Sequence, residues 1–296
     1  MKSMPSESAV CQAIVATVSV VALSACGLTT TQRAAVRNFS QATAAFGEAS
    51  AGEFARMRDS TIRMNTARAE LSAPGAGDVG SLEGAFSTEA VMARTQAANA
   101  LGAYGELLQA LVDDTQEKEL QTAADRFVAS VKGLPGTERN LSDTQLASIG
   151  KLVQVGGSLV IEAKKKDAIR TIIPKANPQV ATLCDLLAAD FDPNDTRLAA
   201  QYLLAANLLL ADAGTVVRRA KDPETRAVAT AAYQLAFDSR ARKDAVLVPA
   251  SKAARELKAA NQALTDAINS DEVTPADLYG YAATVRTLVE AIKVLR

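Results

Sequence analysis

Large apolar side chains recur at helical spacing over a long stretch of this chain. From residue 31 to about residue 73, one stripe of a helix would carry Phe39, Phe46, Met57, Met64 and Leu71. The first and last of these are 32 residues apart, close to nine turns at about 3.6 residues per turn. The pattern predicts a single helix roughly 60 Å long. A helix with such a stripe is too apolar on one face to stand alone and must pack against other long helices.

A second helical segment is predicted from about residue 88 to residue 132. Its expected buried face consists of Leu101, Tyr104, Leu108, Leu111, Leu120, Phe127 and Val131. The polar stretch DDTQEKE at 113–119 predicts a break that divides this segment in two.

Capping signals mark the starts of the later helices. Ser142 and Gln145 match a capping box and predict a helix from 143 to about 173, interrupted by Gly156 and Gly157. Three further N-caps are predicted, at Asn177-Pro178, Asn194-Asp195 and Asp222-Pro223. The corresponding helices are expected near 178–191, 195–220 and 223–246, followed by a segment over 250–269 after Pro249 and a last helix from Thr274.

The fold class follows from these segments and from the composition. No run shows convincing strand alternation, and the residues are 48% hydrophobic but only 4% aromatic, which favours closely packed helices. We therefore expect an all-α protein, an elongated antiparallel bundle of long amphipathic helices. The bundle should span residues 33–296, with a possible subdivision near 174–178.

The composition also removes several kinds of chemistry. The chain has no histidine, which excludes Ser-His-Asp and Cys-His catalysis and every histidine-assisted metal site. With 32 basic and 33 acidic residues, it has no global field that would attract nucleic acid. The prediction is a protein that is not an enzyme, with no cofactor, no catalytic residue, no metal and no nucleic-acid partner.

Short motifs that suggest binding sites fail in their context. GAGDVG at 75–80 follows a predicted helix and Pro74 instead of a strand, so it predicts a loop and no dinucleotide site. DFDPND at 190–195 resembles the start of a calcium loop but lacks its glycine, so it predicts a helix cap and a solvated turn. The basic stretches EAKKK at 162–166 and VRRAK at 217–221 predict solvated helix faces, with contact to lipid headgroups or an acidic partner as the alternative.

The N-terminal segment carries the one specific signal of the chain. Lys2 precedes an apolar run of 11 residues, Ala13 to Leu23, which is too short to span a bilayer and has the length of a signal peptide. It ends in Leu23, Ser24, Ala25 and Cys26. This LSAC sequence resembles the lipobox of bacterial lipoproteins.

The resemblance implies a cellular location and a covalent modification. Residues 1–25 would be a cleaved signal peptide, Cys26 would carry a diacylglycerol and become the new N-terminus, and residues 26–32 would be a lipidated tether. By similarity to lipoprotein sorting rules, Gly27 after the cysteine points to the outer membrane. The expected location is the cell envelope, on the periplasmic face of the outer membrane, with the membrane as a partner through the anchor at Cys26.

One thiol remains if Cys11 leaves with the signal peptide and Cys26 is lipidated. Cys184 lies in VATLCDLL between Leu183 and Leu187 on a helical stripe, which predicts a buried side chain. An intermolecular or reactive thiol is the alternative.

These observations lead to three hypotheses about function. The first is a membrane-anchored lipoprotein that acts in the envelope as a non-enzymatic interaction or structural module with a protein partner. The second is a periplasmic binding module for an apolar or peptidoglycan-related ligand held between helices, where Gly156 and Gly157 leave space. The third is an immunity-type lipoprotein that blocks a toxin or a phage.

Overall fold

The computed structural model describes residues 30–72, 81–113, 117–134, 143, 162–270, 282–283, 286–287 and 289–290. Within these ranges the protein is all-α, as the sequence predicts, and contains no strand. The helices are α1 (Thr30–Leu71), α2 (Thr88–Val112), α3 (Glu117–Lys132), α4 (Glu162–Asp190), α5 (Leu198–Arg219), α6 (Pro223–Arg242) and α7 (Val248–Ser270), with a π-helical segment, Lys243–Leu247, between α6 and α7.

The long first helix is confirmed within two residues at each end. Its Phe39, Phe46, Met57 and Met64 are at most 1% exposed, and Leu71 packs partly buried against the same core. The stripe therefore faces inward along the whole length of α1, as its period predicts.

α1 and α2 form an antiparallel pair. Arg37 near the start of α1 contacts Asp113 after the end of α2, with 2.6 Å between Nε and Oδ1. Arg58 in the second half of α1 pairs with Glu83, which precedes α2. Between these ion pairs Gly47 lies against the backbone of α2, so the two helices approach closely.

The break predicted at 113–119 is confirmed, since α2 ends at Val112 and α3 begins at Glu117. All seven side chains predicted for the buried face of this region are buried. α3 packs against α2 through Tyr104 and Phe127, whose ring centroids are 5.8 Å apart.

The helix boundary predicted between 173 and 178 is wrong. α4 continues through both Pro174 and Pro178. A proline inside a helix costs about 3 kcal/mol, because it removes a backbone hydrogen bond and crowds the preceding turn. Large apolar side chains are buried on both sides of the two prolines, namely Ile169, Ile172, Ile173, Val180, Leu183 and Leu187. Each contributes about 1.5–3 kcal/mol when fully buried, so burial outweighs the two prolines.

α4 and α7 are an antiparallel pair, and α4 also packs against α2. Lys258 of α7 pairs with Asp185 of α4, with 2.6 Å between Nζ and Oδ2. Further along, the buried Tyr104 hydroxyl donates to Asn261 Oδ1 at 2.8 Å, and Asn261 Nδ2 donates to Asn177 Oδ1 at 2.8 Å. This chain of hydrogen bonds fixes the register of α2, α4 and α7, because each buried polar atom would be costly without its partner.

α5 and α6 form a hairpin on the second half of α1. Arg68 near the end of α1 pairs with Asp212 of α5, with 2.7 Å between Nε and Oδ2. Arg242 at the end of α6 pairs with Glu53 in the middle of α1. α5 therefore runs parallel to α1 and α6 returns antiparallel.

Of the two N-caps predicted for this hairpin, one is right. Asp222 caps α6, and its Oδ1 accepts a hydrogen bond from the Thr225 amide at 2.7 Å. The cap predicted at Asn194-Asp195 is wrong, because α5 begins at Leu198 and its N-cap, Arg197, makes no side-chain capping bond.

The break predicted between 246 and 250 is also wrong. The π-helical segment Lys243–Leu247 joins α6 to α7 without an interruption, and Pro249 falls in the first turn of α7. The Val248 amide donates to the Lys243 carbonyl five residues earlier, so this turn holds about one residue more than an α-helical turn.

Several sequence predictions lie wholly or partly outside the described residues. These are the capping box at 142–145, Gly156 and Gly157, and most of the last helix from Thr274. The described residues of that last segment are helical, and Ala282 and Val289 pack partly buried against the core.

Candidate interaction groove

α5 is unusually poor in charge. From Leu198 to Val217 its only charged residue is Asp212. Among the described helices it is the one long and apolar enough to cross a membrane, with a mean hydropathy of 1.3, yet only 28% of that apolar window is buried. Its outer side leaves Leu204 50% exposed and Leu208 38% exposed. α5 thus presents an uncovered apolar face.

α6 carries its smallest side chains inside and its largest outside. The buried positions are Ala229, Ala232 and Ala236, which let the helix approach its neighbours closely. On the outer side Phe237 is 56% exposed and Tyr233 is 42% exposed. This arrangement is the reverse of an ordinary surface helix, which buries its aromatic side chains.

The outer sides of α5 and α6 meet in an open groove, here named the α5–α6 groove, with a volume of about 670 Å³. Its apolar wall is formed by Leu203 and Leu204 of α5 together with Phe237 of α6. Arg240, Lys243 and Asp244 line it at the end where α6 passes into the π-helical segment. The groove therefore combines apolar surface with charges at one end.

The two cations of this rim are available to a partner. Arg240 and Lys243 are exposed and form no ion pair with any of the residues that the structure describes. Asp244 is the single carboxylate that lines the groove beside them. The rim thus carries a small excess of positive charge in a chain with a formal net charge of -1.

A buried ion pair fixes the α6 wall of the groove to α1. Arg242 Nε donates to Glu53 Oε1 at 3.1 Å, and a second bond joins Nη2 to Oε2. The Glu53 side chain is 1% exposed and that of Arg242 is 11% exposed. Burial raises the pKa of the Glu53 carboxyl above its ordinary value, although Arg242 and then Arg56 act to lower it. Arg242 turns inward while its neighbours on the rim face solvent.

The residues proposed for lipidation and signal cleavage lie outside the described part of the chain. These are Cys26 and the preceding Leu23, Ser24 and Ala25, so their roles stay predictions. Cys184 is 0% exposed, which confirms the buried side chain predicted for it. Burial raises the pKa of its thiol well above the ordinary value, which opposes the reactive thiolate of the alternative.

The carboxylates of the DFDPND motif are engaged in ion pairs and in a turn. Asp190 is fully buried and pairs with Arg94, with 3.0 Å between Oδ2 and Nε, so the solvated position expected for it is wrong. Asp192 forms the predicted turn, accepting from the Asn194 amide at 2.9 Å, and pairs with Arg255. No group of three or more Cys, Asp or Glu side chains that could hold a metal occurs within the described ranges.

Of the remaining sequence motifs, the structure describes the side chains of one basic stretch only. In VRRAK, Arg218, Arg219 and Lys221 are exposed, which confirms a solvated face. The GAGDVG sequence at 75–80 and the side chains of EAKKK at 162–166 lie outside the description.

The groove is the feature that sequence reasoning missed. The signal was present in α5, where twenty residues from 198 to 217 include one charge, and in α6, where alanines and aromatic side chains occupy opposite sides. A helix that is apolar all round is normally buried, so the sequence of α5 alone predicts a core position.

Comparisons of the chain with protein-family models, with curated proteins and with solved structures find no match. The α5–α6 groove and the N-terminal LSAC sequence are therefore the features from which a function can be argued.

Proposed function

We propose that this chain is a lipid-anchored interaction module of the cell envelope. The observation that carries the proposal is the uncovered apolar surface formed by the α5–α6 groove together with Tyr233 and Leu208, which lie one helical turn beyond its Phe237 and Leu204. Taking about 200 Å² for an aromatic side chain, Phe237 and Tyr233 together leave roughly 200 Å² of apolar surface in water. Leu204 and Leu208 bring the surface into the range of the largest patches on monomers, roughly 300–600 Å², which often mark binding sites.

The lipid anchor would place this surface at a distance from the membrane. Cys26 lies four residues before Thr30, where α1 begins. The groove packs beside the part of α1 around Glu53, which is about 35 Å along the helix axis from Thr30 at 1.5 Å per residue. With α1 upright on the bilayer, the groove faces the space beyond the lipid headgroups and is open to a protein partner.

The open shape of the groove favours this function over the apolar-ligand module. A pocket for a small apolar ligand encloses most of the ligand surface. The α5–α6 groove is instead open to solvent. The immunity-type function and the absence of enzyme activity stay predictions.

Replacement of Cys26 tests the anchor. We expect the native protein, extracted from the membranes of the cells that make it, to begin at Cys26 and to be heavier than its polypeptide by a diacylglyceryl group. Cys26→Ser should lack this mass and be released or mislocalised, while its far-ultraviolet circular dichroism stays that of a folded bundle. Cys11→Ser is the matched control and should mature normally. An unmodified native chain starting at Met1, or unchanged membrane retention of Cys26→Ser, would contradict the proposal.

A further inference from the structure

The α5–α6 groove has the form of a helix-binding site. We propose that it binds an amphipathic helix of a partner protein whose apolar stripe is bordered by acidic side chains. This inference rests on the proposed function, since it names the partner of the same surface. Two antiparallel helices leave a furrow between them, and a third helix fills such a furrow by ridges-into-grooves packing.

The length of the uncharged surface fits a short helix. On α5 the exposed positions from Gln201 to Ala211 are Gln201, Leu204, Asn207, Leu208 and Ala211. The first and last of these are ten residues apart, which is about 15 Å at 1.5 Å per residue, or nearly three turns. A partner helix with apolar residues spaced i, i+3 or i+4, and i+7 would match this length and contact Phe237 on the other wall and Tyr233 one turn beyond it.

The charges at both ends of the surface indicate the sign of the charge that a partner would carry there. Arg240 and Lys243 lie at one end, and Arg218, Arg219 and Lys221 are exposed around the turn at the other. Arg240 and Lys243 outnumber Asp244 among the residues that line the groove. At the turn, three exposed basic residues outnumber the exposed Asp222 and Glu224, even though the whole chain is slightly acidic. Asp or Glu residues at both ends of the apolar stripe of a partner helix would therefore be attracted to the groove.

The same charges disfavour a second copy of this chain as the occupant. A symmetric dimer would place the groove of one copy against the groove of the other. In the antiparallel arrangement Arg240 and Lys243 would face the basic turn around Arg219, and in the parallel arrangement they would face themselves. Both arrangements bring like charges together, which costs binding energy.

Site-specific photocrosslinking in the cells that make the protein tests the groove. A benzophenone amino acid at position 237 should crosslink the full-length chain to one protein, and mass spectrometry should map the bond to an amphipathic helical segment with acidic flanks. The same probe at position 92 is the matched control, because Met92 is 55% exposed on α2 and does not line the groove. It should not yield this product.

Charge reversal then tests the rim. A synthetic peptide of the mapped segment should bind the full-length Arg240→Glu/Lys243→Glu variant about tenfold more weakly or worse than the native protein. Lys118→Glu/Lys175→Glu changes the net charge equally at exposed positions outside the groove, and it should bind the peptide like the native protein.

Four results would overturn the inference: a crosslink from position 237 to lipid, a crosslink to a second copy, a mapped segment with basic flanks, or no crosslink. The anchor is judged separately. If Cys26 is lipidated and no crosslink forms, the groove inference fails alone. If Cys26 is unmodified and the acidic helix is still captured, the groove inference stands and the proposed location in the cell envelope is wrong.

Discussion

Alanine at position 47 tests how closely α1 and α2 pack. A Cβ atom on Gly47 would lie 2.5 Å from the Gly102 amide nitrogen and 2.6 Å from the Ala98 carbonyl oxygen. Both neighbours are backbone atoms of α2, so no flexible side chain can move away. Gly52 lies on the same helix, five residues further along, and a Cβ atom there would meet nothing within 4 Å. The two glycines therefore form a matched pair.

The two substitutions should change the free energy of unfolding in opposite directions. Replacing glycine by alanine inside a helix stabilises it by about 1 kcal/mol, and Gly52→Ala should gain about this amount. Gly47→Ala gains the same helix stabilisation, but α1 must move about 1 Å away from α2 before the new Cβ atom reaches an ordinary contact distance. A gap of that size removes a quarter to a half of the attraction in each dispersion contact nearby. Because the Cβ atom would meet backbone atoms, we take the upper end of the usual overpacking cost, about 3 kcal/mol. Less the gain of about 1 kcal/mol, the expected net loss is about 2 kcal/mol.

Thermal unfolding of the purified variants, followed by circular dichroism, measures this difference. A change of 1 kcal/mol shifts Tm by about 2–4 °C in a chain of this size. Gly47→Ala should therefore melt about 4–8 °C below the native protein and Gly52→Ala about 2–4 °C above it. If both variants melt at or above the native temperature, the close approach of α1 and α2 is not as described.

Three further predictions concern individual contacts. Arg242→Met leaves the buried Glu53 carboxylate without its main partner and should lower the free energy of unfolding by about 3 kcal/mol in urea titrations. Because burial raises the pKa of Glu53, the folded state takes up a proton more readily than the unfolded state. The loss of stability in this variant should therefore be larger at about pH 8, where Glu53 is charged, than at about pH 5. An equal loss at both pH values would refute the argument. Cys184 should resist alkylation by iodoacetamide in the native protein and react in denaturant, as judged by mass spectrometry of its peptide, whereas rapid native labelling would show an accessible thiol. Asp222→Ala removes the bond to the Thr225 amide and should lower the free energy of unfolding in urea titrations. Because that bond lowers the pKa of Asp222, this deficit should vanish as the pH falls through the titration of the carboxylate.

The first helix could be predicted from sequence because its signal is carried by large side chains over nine turns. The boundary at Pro174 and Pro178 could not, since a local rule about proline gives no information on what the neighbouring isoleucines contact. Those side chains are buried in the folded chain, and the energy of that burial depends on tertiary packing. The start of α5 was missed for a similar reason, because Asp192 accepts from the Asn194 amide and pairs with Arg255 in the turn before it.

The groove shows a different limit of sequence reasoning. Periodicity identifies which side chains of a helix are apolar, but it cannot distinguish a face that another helix covers from one that is left open. Leu209 and Leu208 are neighbours in the sequence, yet Leu209 is fully buried and Leu208 is 38% exposed. Only the packing of α5 against α1 and α6 decides between them.

The π-helical segment determines how far the side chains of α7 are rotated about the helix axis relative to those of α6, since the two helices form one continuous rod. From Pro223 to Ser270 the backbone is helical throughout, yet its first part packs on α1 and α5 and its second part packs on α4. Each residue of an α-helix turns the following side chains by about 100°. The extra residue within Lys243–Leu247 rotates the apolar side of α7 relative to that of α6. A single rod can thereby contribute to two parts of the core that face it from different directions.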